Sequence, residues 1–330
     1  MSGVQTKVVT ADEADMRLDR WFKAHFPAVT HGMLEKYLRK GQVRVAGGRV
    51  KANRRLVEGE EIRIPPMQPS DGEQRKPKTN PHTAQDKKEI EQLILYQDDA
   101  IIALNKPFGL AVQGGANMKR HVDGMLGALE KNGERPKLVH RLDKDTGGLL
   151  LVAKTRKAAQ KLSDAFRGHE IEKTYWALTA SVPIPAEGTI SLPIAKRMVR
   201  VQDGAQERVV PFTGEAAKNA VTDYQIVEDA TRVAFVAMRP VTGRTHQLRV
   251  HSAAMGCPIV GDGKYGGEAA HIEGVSSKLH LFCRAMTFAH PVTGRKMTLQ
   301  APITGHMKET WKFFSFDQKA NCDWPEDLRR

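Results

Sequence analysis

The sequence predicts an α+β protein built from a small αβ module followed by a larger domain with a mixed, largely antiparallel sheet. Two observations favour this class. Segments with strand-like patterning outnumber helical segments after residue 90, and strands and helices do not alternate in the regular order of a parallel sheet. The 330 residues are enough for both parts to bury a core.

The first part is a small basic block over residues 16–63. It holds twelve Lys and Arg residues against five Asp and Glu, an excess that supplies about half of the net charge of +13. Its segment "MRLDRWFKAHF" has apolar residues at helical spacing, and "THGMLEKYLRKG" predicts a second helix between Thr30 and Gly41. The segment "VRVAGGRV" predicts a tight hairpin of two short strands, and "GEEIRI" predicts a final strand.

This basic block is predicted to contact the phosphates of RNA, because clustered Lys and Arg side chains attract a polyanion. An ordinary solvated surface is the alternative. The predicted contacts lie on the two helices, the hairpin and the segment after it: Arg17, Arg20, Lys23, Arg39, Lys40, Arg44, Arg54 and Arg55. The layout resembles the RNA-binding module of the ribosomal-protein-S-four type over residues 16–75.

The next segment has the composition of a linker. Residues 66–89 carry four prolines, many charges and one large apolar residue, Met67. We therefore expect a flexible linker over residues 66–90, on which the two parts move independently. The larger domain is predicted over residues 91–310, with a C-terminal extension over residues 311–330.

Composition also excludes several classes of protein. No stretch reaches the about 18 uninterrupted apolar residues of a membrane helix, and the N-terminus has no apolar signal region, so we expect a cytoplasmic protein without membrane contact. Three cysteines, odd in number and far apart, predict reduced thiols and no disulfide or metal framework.

The larger domain has a clear order of elements. The segment "LILYQDDAIIALNKPFGLAV" predicts two strands around an Asp-Asp turn, and "TRKAAQKLSDAFR" predicts a short helix. Strands follow in "IEKTYWALTA" and "RVAFVAMRPV". A helix is predicted from Thr245 to Gly256 in "THQLRVHSAAMG", and "LHLFCRAMTFAHP" predicts a last strand.

The segment "HRLDKDTGGLLLVAKT" places Asp143 in a turn beside an apolar strand, where a rigid scaffold can present a reactive group. A carboxylate near a core stays ionised only beside a cation. The candidate cation is Arg249, which lies between apolar Leu248 and Val250 on the predicted helix. An aspartic protease would need two such carboxylates, and Asp143 and Asp145 lie too close in sequence to flank a sugar bond.

Three segments in order resemble the characteristic motifs of the RluA-type pseudouridine synthase family: "HRLDKDTGG", "EKTYWALT" and "GRTHQLRVHSAAMGCPIVGDGKYG". With "LNKPFGLAVQGG" and the N-terminal module, the resemblance leans toward enzymes of large-subunit ribosomal RNA. It implies a monomeric isomerase that converts specific uridines to pseudouridine, in rRNA or a pre-ribosomal particle, with no cofactor or metal. A synthase acting on tRNA and a catalytically silent assembly factor remain as alternatives.

The resemblance also implies roles for single residues. Asp143 is the catalytic carboxylate, Arg249 its ion-pair partner, and Tyr175 the ring that stacks on the target base. Leu248 packs beneath that base, and Arg141 fills the gap that a flipped nucleotide leaves. The remaining predicted substrate contacts are His140, Arg244 and His246.

One position departs from the family pattern. The family commonly has Ser or Thr where this chain has Gly147, which gives "DTGG" in place of "DTSG". The missing hydroxyl is expected to change hydrogen bonding in the turn and to leave the carboxylate of Asp143 unaffected.

Overall fold

The structure is a computed structural model that describes residues 3–66, 84–114, 120–131, 133–201, 204–325 and 328. It divides into two compact units, Met1–Asn80 and Pro81–Arg330, each with its own apolar core. Within the described ranges, no helix has both the length and the apolar content that crossing a membrane requires.

The N-terminal unit has two helices and a three-stranded antiparallel sheet. Its elements are β1 (Gln5–Val8), α1 (Leu18–His25), α2 (His31–Arg39), β2 (Arg44–Val45) and β3 (Glu61–Ile64). Both predicted helices are confirmed, and they bury the apolar residues that the helical spacing selected. The side chain of Thr30 accepts a hydrogen bond from the amide of Met33 and so caps α2, and Gly41 takes a left-handed backbone after it.

The predicted hairpin in this unit is wrong in its second strand. The chain turns at Ala46 and Gly47, which both have a positive φ, but residues 49 and 50 form no strand. Strand β2 pairs with β3, and β1 pairs with the other edge of β3. Alternate residues of β3, Ile62 and Ile64, are buried in the core, so pairing with β3 buries apolar surface that a local hairpin would leave in water.

The second unit contains a mixed sheet of ten strands in its described residues. The strands of this unit are β4 (Ile94–Gln97), β5 (Ile101–Lys106), β6 (Lys137–Leu138), β7 (Gly147–Ala153), β8 (Glu172–Thr179), β9 (Glu187–Ser191), β10 (Ile194–Val201), β11 (Gly204–Pro211), β12 (Val221–Ala230), β13 (Val233–Pro240), β14 (Leu281–Ala289) and β15 (Lys296–Gln300).

The strand order of this sheet is β4-β5-β7-β14-β8-β13-β12-β9, with β15 added to β14 and β6 to β7. The pair β7–β14 is parallel, and the other pairs in this sheet are antiparallel. The predicted mixed, largely antiparallel sheet is thus confirmed.

The described residues of this unit form five α-helices, and β10 and β11 form a separate two-stranded hairpin. The helices are α3 (Ala84–Gln92), α4 (Val122–Met125), α5 (Arg156–Arg167), α6 (Gln247–Ala254) and α7 (Gly305–Phe313). The buried strand β7 lies between β5 and β14, and its first residues pair with Phe282 and Cys283 of β14. This pairing fixes the end of β7 that follows the Asp143 turn.

Two predicted segments have boundaries that differ from the structure. The predicted linker ends too late, and the predicted C-terminal extension begins too early. Helix α3 occupies the end of the predicted 66–90 linker, because Ile90 is buried in the core of the second unit. The predicted extension over residues 311–330 begins inside α7, and Trp311 and Phe316 belong to the same core. Residues 67–83, the rest of the predicted linker, lie outside the described residues.

Candidate active site

The turn that carries Asp143 is held by hydrogen bonds from a buried lysine. The ammonium of Lys106 donates hydrogen bonds to the carbonyl oxygens of Pro107 (3.0 Å), Leu110 (2.8 Å) and Lys144 (3.0 Å). Its side chain is 0 % exposed, and burial lowers its pKa to about 8 against the raising effect of nearby carboxylates. Lys106 therefore ties the turn to the end of β5. The side chain of Asp143, on this turn, is 27 % exposed.

Two cavities meet at this carboxylate. The first, of about 310 Å³, is walled by Tyr175, Leu248 and Lys173 among others, and the second, of about 720 Å³, by several lysines. Four residues line both cavities: Arg141, Asp143, His246 and Arg249. Among the described residues that line the first cavity, Asp143 is the one acid, so the surroundings suit an anionic ligand with one carboxylate facing it.

The aromatic residue predicted from the motif lies in the first cavity. Tyr175 is on β8, and burial raises the pKa of its hydroxyl well above the usual 10, with the neighbouring Cys283 adding to the shift. The side chain is therefore a neutral phenol at pH 7. Leu248 on α6 is buried in the wall of the same cavity. The structure thus places Asp143, Tyr175 and Leu248 around one cavity.

The predicted ion pair between Asp143 and Arg249 is wrong. Arg249 forms a two-pronged salt bridge with Asp262, with distances of 2.8 Å from Nε to Oδ2 and 2.7 Å from Nη2 to Oδ1. The two side chains are 11 % and 2 % exposed. Asp262 also accepts the amide N–H groups of Lys264 and Tyr265. The tight turn after α6 places Asp262 beside Arg249. Arg249 therefore pairs with Asp262 and not with Asp143.

Arg249 nevertheless contributes its positive charge to the surroundings of Asp143. Burial alone would lower its pKa, but the hydrogen bonds and charge of Asp262 raise it, and Asp143 adds to the same effect. The guanidinium is therefore a permanent cation in the wall that Asp143 shares.

His246 is the ionisable side chain that lies beside the carboxylate of Asp143. Its Nε2 lies 3.6 Å from Oδ2 of Asp143, and its Nδ1 lies 2.6 Å from the hydroxyl of Tyr265. The backbone of His246 is left-handed, with φ 54° and ψ 17°, a conformation that costs about 1–3 kcal/mol outside glycine. Helix α6 therefore begins at Gln247 and not at the predicted Thr245.

Sequence reasoning missed Tyr265 and Gln247. Tyr265 lies three residues after Asp262 in "GDGKYG", a turn that the motif contained but that carried no predicted role. The buried amide of Gln247 accepts from Thr242 and the amide of Arg244, and it donates to Thr222 and a carbonyl of β12. Gln247 therefore fixes the start of α6 in place.

The other predicted substrate contacts have different surroundings. His140 accepts the amide N–H of Leu151 at Nε2 (2.8 Å), stacks on Phe166, and has a pKa that burial lowers to about 3. Its ring is thus a neutral acceptor bound to the fold. Arg141 is exposed beside both cavities. Arg244 is exposed on the rim of the first cavity and donates a hydrogen bond to a backbone carbonyl.

The environment of Gly147 accounts for its departure from the family pattern. A Cβ atom at this position would lie 2.9 Å from a ring carbon of Phe108 and 3.0 Å from one of Phe282. The space that a Ser or Thr side chain needs is therefore occupied by the ring of Phe108.

The predicted RNA contacts of the N-terminal unit fall into two groups. Three of them pair with acids of the same unit: Arg17 with Asp19, Arg54 with Glu60 and Arg55 with Asp15. Arg44 donates to backbone carbonyls. In the described part of the chain, the others are exposed and have no carboxylate within 4.0 Å: Arg20, Lys23, Arg39 and Lys40.

A metal ion would need a group of oxygen, nitrogen or sulfur ligands that converge on one point. Over the residues that the structure describes, no three His, Cys, Asp or Glu side chains are grouped so that they could hold one.

The comparisons with known proteins agree with this geometry. Residues 100–254 match the family described as RNA pseudouridylate synthase. The chain is 36 % identical over 297 residues to "Ribosomal large subunit pseudouridine synthase C" of Rickettsia bellii, covering 88 % of this chain and 95 % of that one. It is also 36 % identical over 310 residues to the protein of that name from Escherichia coli K12, covering 92 % and 95 %.

A solved human structure, "RNA Pseudouridylate Synthase Domain Containing 4", aligns with a TM-score of 0.57 and 29 % identity over 69 % of this chain and 95 % of that one. The fold and site define an RNA-modifying enzyme. The chain belongs to the RNA pseudouridylate synthase family, and the resemblance found in its motifs is confirmed.

Proposed function

We propose that this enzyme converts specific uridines of large-subunit ribosomal RNA to pseudouridine, with Asp143 as the catalytic carboxylate. The observation that carries the proposal is the first cavity, in which Asp143 faces Tyr175 and Leu248 among cationic side chains. The names of the relatives that match about nine-tenths of the chain support the substrate class. We propose that the enzyme acts in the cytoplasm and as a monomer.

The proposed reaction is an isomerisation, which rearranges bonds within one nucleotide. The bond from the sugar C1′ to uracil N1 breaks, a bond from C1′ to C5 forms, and one proton leaves C5 while N1 gains one. No atom is gained and no electron is transferred, so the residues of the cavity supply the chemistry. Asp143 contacts the nucleotide at its exposed edge, and the neutral ring of Tyr175 offers a face on which uracil stacks.

The walls of the two cavities suit a nucleotide that has left its helix. A flipped base must be held while its phosphates remain near the surface. Arg141 and Arg244 lie at the exposed rim of the first cavity, and Lys264 and Lys278 line the second. In this proposal Arg244, Lys264 and Lys278 contact the RNA backbone beside the target, and Arg141 fills the vacated space in the RNA helix.

The test uses purified protein and unmodified large-subunit RNA, with transfer RNA as a second substrate. We expect pseudouridine in the ribosomal RNA, and its loss in Asp143→Asn. Asp145→Asn is the matched control, because it removes the same charge from an exposed position two residues along the turn. Turnover by Asp143→Asn at the rate of the wild type would contradict the role of Asp143, and product in transfer RNA alone would contradict the substrate.

We further propose that the N-terminal basic block binds RNA through four of its exposed basic residues that have no acid partner, Arg20, Lys23, Arg39 and Lys40. Replacing Arg20, Lys23, Arg39 and Lys40 with alanine should weaken binding and lower the slope of log K against log salt by about 0.7–0.9 for each phosphate that the variant no longer neutralises. Replacing four exposed lysines of the second unit with alanine, Lys157, Lys296, Lys308 and Lys319, removes the same number of charges and provides a control. An unchanged slope in the four-residue variant would remove this role.

A further inference from the structure

Asp143 has a polar neighbour, His246, for which the sequence predicted only a contact with the substrate. His246 lies between the carboxylate of Asp143 and the hydroxyl of Tyr265, at 3.6 Å from the first and 2.6 Å from the second. We propose that His246, fixed by Tyr265, is the positioning residue that orients the carboxylate of Asp143 for the reaction. The inference rests on the proposed function, and it gives Tyr265 and His246 roles within it.

The two contacts determine which nitrogen of His246 carries the proton. An ionised carboxylate only accepts hydrogen bonds, so the nitrogen that faces Asp143, Nε2, must be the N–H. Nδ1 is then an acceptor, and the hydroxyl of Tyr265 donates to it over 2.6 Å. Both contacts agree on one tautomer. A catalytic contact that is long in the free enzyme commonly tightens when substrate binds, which brings Nε2 and Oδ2 within hydrogen-bond distance.

Charged groups of both signs surround the ring. Asp143 faces it from the turn before β7, Arg249 from α6, and Asp262 and Lys264 from the turn after α6. Burial lowers the pKa of His246, Asp143 opposes that shift, and Arg249 and Lys264 add to it. The ring is therefore neutral at pH 7, with a single proton to direct, and the hydroxyl of Tyr265 decides where that proton lies.

The backbone provides a way to separate positioning from a structural role. His246 is left-handed and directly precedes α6, and asparagine is the non-glycine residue that suits both features best. If His246 served only the fold, His246→Asn would be the mildest replacement. The amide of glutamine reaches the place of Nε2, whereas that of asparagine ends near the place of Nδ1. If His246 orients Asp143, His246→Gln is the milder replacement.

We therefore expect His246→Gln to keep kcat within about tenfold of the wild type and His246→Asn to lose about 10- to 100-fold, the worth of a hydrogen bond to a charged group. The change in KM should stay below about threefold, because the loss is in orientation. Thermal unfolding of both variants measures the fold separately. A kcat for His246→Asn that equals or exceeds that of His246→Gln would overturn the proposal.

Tyr265→Phe tests the other end of the chain of contacts. The phenyl ring keeps the packing over Arg249, whose guanidinium lies 5.0 Å from the centre of the ring, and removes only the hydroxyl. We expect a loss of about tenfold in kcat and no additional loss when it is combined with His246→Asn. Fully multiplying losses in the double variant would contradict a shared role.

A measurement without substrate distinguishes failure of this inference from failure of the proposed function. The ¹⁵N chemical shifts of His246 in the full-length free enzyme should show protonation at Nε2, and Tyr265→Phe should mix the two tautomers. Protonation at Nδ1 in the wild type would overturn the inference whatever the activity. If the wild type instead makes no pseudouridine in ribosomal RNA while Nε2 carries the proton, the proposed function fails and the contact stands.

Discussion

The most direct structural prediction concerns Gly147, where the chain departs from its family. Gly147→Ser restores the residue that the family commonly has, yet it is expected to destabilise this protein. The added Cβ would lie 2.9–3.0 Å from ring carbons of Phe108 and Phe282, closer than carbon atoms pack. Phe108 cannot move away easily, because it also packs against His306, with ring centres 4.3 Å apart.

The expected magnitude follows from overpacking. Forcing extra atoms into a filled core costs about 1–3 kcal/mol, and Gly147 lies at the buried start of β7. Phe108→Leu removes the two nearest ring carbons, at 2.9 and 3.0 Å, and leaves the contact with Phe282. The double variant should therefore be more stable than the sum of the two single changes by about 1–2 kcal/mol, within the range of coupling seen between residues in contact.

Urea unfolding at constant pH measures this coupling, with Gly263→Ala as the control, because no atom lies within 4 Å of the Cβ added there. The control should change the free energy of unfolding by less than about 0.5 kcal/mol. A Gly147→Ser protein as stable as the wild type, or effects that simply add in the double variant, would refute the argument that Phe108 and Gly147 share one space.

Two other changes probe the charges beneath the site. Because burial lowers the pKa of Lys106 to about 8, the folded protein loses this proton before the unfolded chain, whose lysine has a pKa near 10.5. The free energy of unfolding of the wild type should thus rise relative to Lys106→Met by about 3 kcal/mol between pH 8 and 10.5 in urea titrations, and a constant difference would contradict this. Asp262→Ala leaves Arg249 nearly buried without its partner and should cost about 3–5 kcal/mol in thermal unfolding, whereas Asp262→Asn keeps an acceptor for the amides of Lys264 and Tyr265 and should cost less.

Local patterns predicted most of the fold, because they depend on interactions between near neighbours. Helices α1, α2 and α5 follow from apolar spacing and from capping side chains such as Thr30 and Thr155. The strands with continuous apolar runs, such as β7 and β13, are buried along their length as their composition requires. The type and order of these elements were therefore available from the sequence, whereas α3, α4, β9 to β12, β15 and α7 were not predicted.

The errors arose where two candidate partners competed. The N-terminal hairpin lost its second strand because β3, farther along the chain, buries more apolar surface against β2. Arg249 paired with Asp262 and not with Asp143 for a related reason. Asp262 is thirteen residues away on a tight turn, so closing that loop costs less entropy than bringing in an acid 106 residues away. Residue types alone do not rank such partners.

The pairing of Arg249 with Asp262 gives the site a property that the predicted arrangement would have lacked. A two-pronged salt bridge holds both of its members in one geometry, so a carboxylate paired in this way would have its oxygens occupied before a nucleotide arrived. Asp262 occupies Arg249 instead, and the cation still faces the cavity wall that it shares with Asp143. The carboxylate of Asp143 thus remains in a cationic field and partly exposed, with His246 at 3.6 Å. If Asp143 has the proposed catalytic role, it must form and release contacts with a substrate during each turnover, and that looser arrangement suits this role better than a buried ion pair of its own.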